Sequence, residues 1–104
     1  MVYAHGKDKV VKVARDKEGV DCNRREWRIW HTADRIRNII VPCIDISTDG
    51  TRLIQKRGRP VKKVPPYPRI IEGCNVDHPK QWVEIEGRVL LADYGCPRLD
   101  NRNL

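Results

Sequence analysis

The sequence predicts an α+β domain in which one helix packs on a small curled antiparallel sheet. Three observations carry this reading. A Val-rich alternating run is followed by one segment of helical periodicity. Two pairs of β-branched runs flank Asp49-Gly50 and Gly87, and each pair is a hairpin signal. The 104 residues suffice for one domain with one modest core, and a lone helix buries its apolar stripe best against a sheet face.

The elements follow in order. "DKVVKVAR" (8–15) reads as a strand with Lys12 at its middle. "DKEGVDC" (16–22) reads as a loop. Asn23 then offers a helix cap, and Glu26, three residues on, completes a capping-box-like start. The helix is expected to run to about residue 37, with Glu26, Trp30, Ala33 and Ile36 or Arg37 on one stripe and Trp27 beside it. "IIVPCIDISTDGTRLIQKR" (39–57) is the first hairpin, with Pro42 suited to the entry of its first strand or to an edge position. "GRPVKKVPPYP" (58–68) has four Pro in eleven residues and reads as an extended linker. "WVEIEGRVLLADYG" (82–95) is a second hairpin, and 97–104 is expected to be a flexible tail.

Composition narrows the class. Apolar residues make up 39% and charged residues 34%, with three Trp and no Phe, so Trp, Ile and Val must supply most of the core. No 18-residue apolar run occurs, which points to a cytoplasmic protein without a membrane span. Cys22, Cys43, Cys74 and Cys96 form no C-x-x-C pair and read as reduced thiols. Their spacing gives no support to a zinc site with His5, His31 or His78. The charge is local. Segment 50–71 holds Arg52, Lys56, Arg57, Arg59, Lys62, Lys63 and Arg69 and no acid, and it accounts for the whole net charge of +7. Such a concentration favours a local anionic partner.

Four short motifs then stand in a telling order. "VVKVA" and "NRREW" with its helix resemble the third strand and C-helix of kinase-like proteins. "RLIQKRGRP" resembles the last strands of the kinase N-lobe leading into the hinge. "DHPKQW" resembles the D-x-H-P-x-N catalytic loop of the aminoglycoside and choline phosphotransferase branch, and "LLADYG" resembles the magnesium-binding D-[WY]-G element. The resemblance spans about residues 8–96 and is similar to that of short kinase-like proteins of phages and prokaryotes. Each motif is weak alone; their order and spacing carry the likeness. It implies a kinase N-lobe-like fold with most of the C-lobe absent. It also implies a Lys12–Glu26 pair on nucleotide phosphates, Asp93 and Gln81 as magnesium ligands, and ATP with magnesium as the cofactors of any active form.

The departures point away from catalysis. Aligning the His-Pro pair puts Val76 where the family has its catalytic Asp, and Asp77 sits one position off. Gln81 replaces the metal-binding Asn, and only about fifteen residues separate hinge from catalytic loop. Phosphoryl transfer depends on positioning, and small misplacements cost about 100-fold. If active, the catalytic set is Lys12, Glu26, Asp77 and Asp93; the favoured reading has no catalysis and no bound cofactor. Each residue also has a plain alternative. Lys12 can be a solvated strand residue, Glu26 a cap partner, Asp93 a turn residue and His78-Pro79 a loop constraint. Trp27, Trp30 and Trp82 suit core or surface anchoring.

"KRGRPVKK" (56–63) also resembles the Arg-Gly-Arg-Pro core of an AT-hook, which lies extended in a narrow minor groove. Its plain alternative is a solvated basic connector, and "PPYP" can serve as a polyproline ligand. Three functions follow. The first, and favoured, is a non-catalytic kinase-like module that binds a host protein complex or nucleic acid through its basic 52–69 face, as a phage-type accessory or inhibitor of host functions, defence included. The second is a DNA-binding module acting through the Arg-Gly-Arg-Pro segment. The third is a small ATP/magnesium-dependent phosphotransferase.

Overall fold

The computed structural model describes residues 2–95 and 99. It is an α+β domain with one α-helix and two small antiparallel sheets. The first sheet contains β1 (Val2–Ala4), β2 (Lys9–Val13), β3 (Cys43–Ile46) and β4 (Arg52–Lys56) in the order β1-β2-β4-β3. The second contains β5 (Arg59–Pro60), β6 (Trp82–Ile85) and β7 (Arg88–Leu91) in that order. The single curled sheet expected from the pattern is thus two sheets. The break falls at Gly58, where Arg57 gives its N–H to Asp8 (2.8 Å) and β5 turns to pair with β6.

The helix differs from the sequence expectation at both ends. Helix α1 runs Lys17–Thr32 and is capped by Asp16, whose side chain accepts the Gly19 N–H at 2.8 Å. Residues 17–22 are therefore helix, not loop. The misleading signal is Gly19, which argues against a helix interior. A Cβ there would stand 2.9 Å from the Ala14 side chain, so the helix starts tight against the end of β2. Asn23 is not a cap. It is buried in the second turn and donates to Lys12 O (3.3 Å) and Gly50 O (3.0 Å), tying the helix to β2 and to the hairpin turn. At the other end Ala33 leaves the helical region (φ −89°, ψ 72°), and the chain continues into a 3₁₀ turn at Arg37–Ile39.

Both hairpins form. In the first, the turn is organised by Asp49, whose Oδ1 accepts from Ser47 Oγ (2.8 Å), Thr51 N (3.0 Å) and Thr51 Oγ1 (2.7 Å). These bonds hold its carboxyl down to a pKa of about 2. In the second, Glu86 and Gly87 both have positive φ (51° and 79°), the requirement of a two-residue hairpin turn matched to strand twist. Of the expected linker, Arg59–Pro60 is strand β5, while 61–68 has no strand or helix.

One core holds these parts together. Ile29, Ala33 and Ile36 meet Leu53 from β4, Trp82 and Leu91 from the second sheet, and Ile71, Val76 and Tyr94 from the connections. Burying each large aliphatic side chain contributes about 1.5–3 kcal/mol. Leu99, the described residue of the expected 97–104 tail, is fully buried in this core; the rest of that tail lies outside the described residues. No described helix is long and apolar enough to cross a membrane.

Candidate functional site

The alternation of β2 aims Lys12 toward α1, and the helical stripe aims Glu26 back at it. The two form an ion pair in which Glu26 is 2% exposed and Lys12 partly buried. Glu26 is satisfied on every side. Its Oε1 also accepts from Gln55 Nε2 (2.5 Å), and its Oε2 accepts the Gly95 N–H (2.9 Å). Burial pushes its pKa up, Lys12 opposes this, and the nearby Asp93 charge adds to it. Lys12 Nζ donates a second bond to Ala92 O (2.7 Å), one residue before Asp93.

The Asp-Tyr-Gly segment divides into three tasks. Asp93 is exposed. Tyr94 is fully buried; its hydroxyl donates to Val41 O (2.7 Å) and meets Cys43 Sγ (3.1 Å). Burial raises the pKa of both the Tyr94 hydroxyl and the Cys43 thiol, which disfavours their ionised forms. Gly95 lies against α1, where a Cβ would be 2.7 Å from Cys22 O.

Asp93 stands at the meeting point of three cavities. One of about 150 Å³ is shared with Lys12, Asn23 and Glu26. One of about 440 Å³ opens between the two sheets and is lined by Lys12, Gln55, Lys80, Gln81 and Asp93, among others. One of about 260 Å³ holds Gln81 with Cys74 and Asn75. Gln81 reaches this place because its carbonyl accepts the Ala92 N–H (2.7 Å), which sets the 3₁₀ turn Pro79–Gln81 beside the end of β7. Lys12, Glu26 and Gln81 thus each line at least one cavity that Asp93 also lines. Asp77 does not: it is exposed, lines none of these cavities, and accepts a hydrogen bond from the Tyr67 hydroxyl.

The arrangement can hold a small anion. Lys12 is fixed by Glu26 and Ala92, Lys80 stands across the cleft, and Asp93 with Gln81 can supply oxygens to a cation that accompanies such a ligand. Among the described residues no group of three His, Cys, Asp or Glu could hold a metal without a ligand's help. Cys22 is exposed and Cys43 and Cys74 are buried; Cys96 lies outside the described residues.

The cations of segment 52–69 are all exposed. Arg69 stands 4.0 Å from Glu72. The Arg-Gly-Arg-Pro stretch is built into the fold. Arg59 and Pro60 pair with Glu84 and Val83, and a Cβ on Gly58 would lie 2.7 Å from the Val83 side chain. Asn23, Gln55 and Gly95 complete the site, and the sequence patterns did not single them out for it. For Gln55 a signal was present: alternation along β4 puts it on the inner face with Leu53, where a polar residue needs a partner. Compared with known proteins, the chain matches no family model, no curated protein and no solved structure.

Proposed function

We propose that this chain is a non-catalytic binding module on a kinase-like frame, which grips an anionic macromolecule through its 52–69 face in the manner of a phage-type accessory or inhibitor of a host complex. The observation that carries the reading is the exposure of all seven cations on one acid-free segment whose start is fixed in β4 and β5. A backbone already held in strands has less freedom to lose on binding, which favours affinity. The non-catalytic part is supported by Val76, buried where the family resemblance expects the catalytic Asp, and by Asp77, engaged with Tyr67 outside the cleft. The minor-groove alternative is weakened by the pairing of Arg59 and Pro60 within the second sheet, since a hook needs its extended backbone free to enter the groove.

The test is capture from a bacterial lysate by the wild-type chain and by a chain carrying Arg57→Ala, Lys62→Ala and Lys63→Ala. A partner lost with the variant, and lost progressively with salt, supports the reading. A partner retained equally by both overturns it.

A second reading has its own observation. Lys12, Glu26 and Gln81 each line a cavity shared with Asp93, as a retained nucleotide site would require. Magnesium-ATP at 100-fold its dissociation constant would then raise stability by about 2.7 kcal/mol, and Asp93→Ala would remove that gain. No shift with the nucleotide leaves the cleft without this role.

A further inference from the structure

On the side of the hinge away from Asp93, a groove of about 620 Å³ runs between the β1–β2 turn, β5 and the β6–β7 turn. Its chemistry is a mosaic. Five cations line it: Lys7, Lys9, Lys56, Arg57 and Arg59. Lys9 and Lys56 are direct cross-strand partners in the β2–β4 register and both face the groove. Like charges so placed destabilise a sheet. Among the described residues none of the five is in an ion pair, although Asp8, Glu84 and Glu86 line the same groove. The apolar part of the wall includes Ile44, which is 41% exposed on the edge strand β3, together with Ile85.

We infer that this groove is a docking site for an extended, acidic protein segment that also carries aliphatic side chains. The inference deepens the proposed function and rests on its reading that the basic segment holds the partner. A carboxylate between Lys9 and Lys56 relieves their mutual repulsion, and an aliphatic neighbour covers Ile44 and Ile85. Nucleic acid fits less well. Groove acids repel a uniformly charged backbone, and no aromatic side chain lines the groove to stack a base. The volume suits a few side chains rather than a duplex.

The experiment measures fluorescence anisotropy of a labelled peptide of alternating Glu and Leu with the full chain. A Glu–Ser peptide and a labelled DNA duplex are run beside it. The Glu–Leu peptide is expected to bind best. Lys9→Glu, Lys56→Glu and Ile44→Ser should each weaken it about tenfold, the two charge reversals with a reduced salt dependence. The paired change Lys62→Glu and Lys63→Glu, on the basic face but outside the groove, should weaken it less than the groove changes do, and Lys17→Glu, on the exposed first turn of α1 and outside both surfaces, should leave it unaltered. Lys56→Glu replaces a repulsive pair with an attractive one, so its unfolding temperature should hold, which separates lost binding from lost fold. Equal binding of the Glu–Ser peptide, tighter binding of the duplex, or no peptide binding overturns the inference. If the Lys62 and Lys63 changes abolish binding while Lys9 and Ile44 changes do nothing, the groove assignment fails and the basic-face reading stands. If neither set alters binding, both fail.

Discussion

The Glu26 carboxylate on α1 is bonded through one oxygen to the Lys12 ammonium on β2 and through the other to the Gly95 N–H beyond β7. One buried group therefore ties the first sheet, the helix and the end of the second hairpin. Such a group is costly to leave unpaired, and several of the following outcomes turn on that cost.

Replacing Glu26 with Ala should lower stability by about 3–5 kcal/mol, because Lys12 and Gln55 then lose their acceptor in the interior. Urea unfolding monitored by tryptophan fluorescence would read this. A loss near ~1 kcal/mol would instead match a helix-cap residue, a role the structure gives to Asp16.

Asp93 and its neighbour should behave oppositely. Asp93→Ala removes an exposed carboxylate and should shift stability by no more than ~0.5 kcal/mol. Tyr94→Phe leaves the buried Val41 carbonyl without its donor and should cost about 1–3 kcal/mol. Thermal unfolding of the two variants side by side checks the contrast.

Gly95→Ala should cost about 1–3 kcal/mol by overpacking, since the added methyl meets Cys22 O and Glu26 Oε2 at 2.7 and 3.0 Å. The same measurement applied to Asp16→Ala should give about 1 kcal/mol, and to Asn23→Ala about 1–3 kcal/mol. A larger loss at Asp16 than at Asn23 would contradict the buried tie described for Asn23.

The first hairpin should carry an acid-sensitive element. Asp49 is held at a pKa of about 2 in the fold against an ordinary 3.8, so its ionised form favours folding. That contribution is present above the ordinary value and fades as pH falls through about 2. Wild type should therefore exceed Asp49→Asn in stability near neutral pH, and the gap should close in strong acid. Carboxyl chemical shifts followed by NMR would report the midpoint directly.

Much of this architecture is legible in the sequence because local signals agree with the fold. Val alternation marks β2, and Asp49-Gly50 and Gly87 mark the two hairpins. The meeting of Lys12, Glu26 and Asp93 at one cavity follows from taking strand and helix faces together. The helix start is hidden because Asn23 and Glu26 mimic a cap while serving as buried ties. Gly19 adds to the concealment, since its reason, the approach to Ala14, exists only in three dimensions. The second sheet is hidden because β5 is two residues long and contains a proline, a pattern that only pairing with β6 can reveal.

Val2 lies opposite Lys12 in the β1–β2 register and borders both cavities that Lys12 shares with Asp93. The edge strand thus forms part of the rim of both openings. A bulkier side chain at position 2, as in Val2→Trp, would narrow them together and block the cleft without altering Lys12, Glu26 or Asp93.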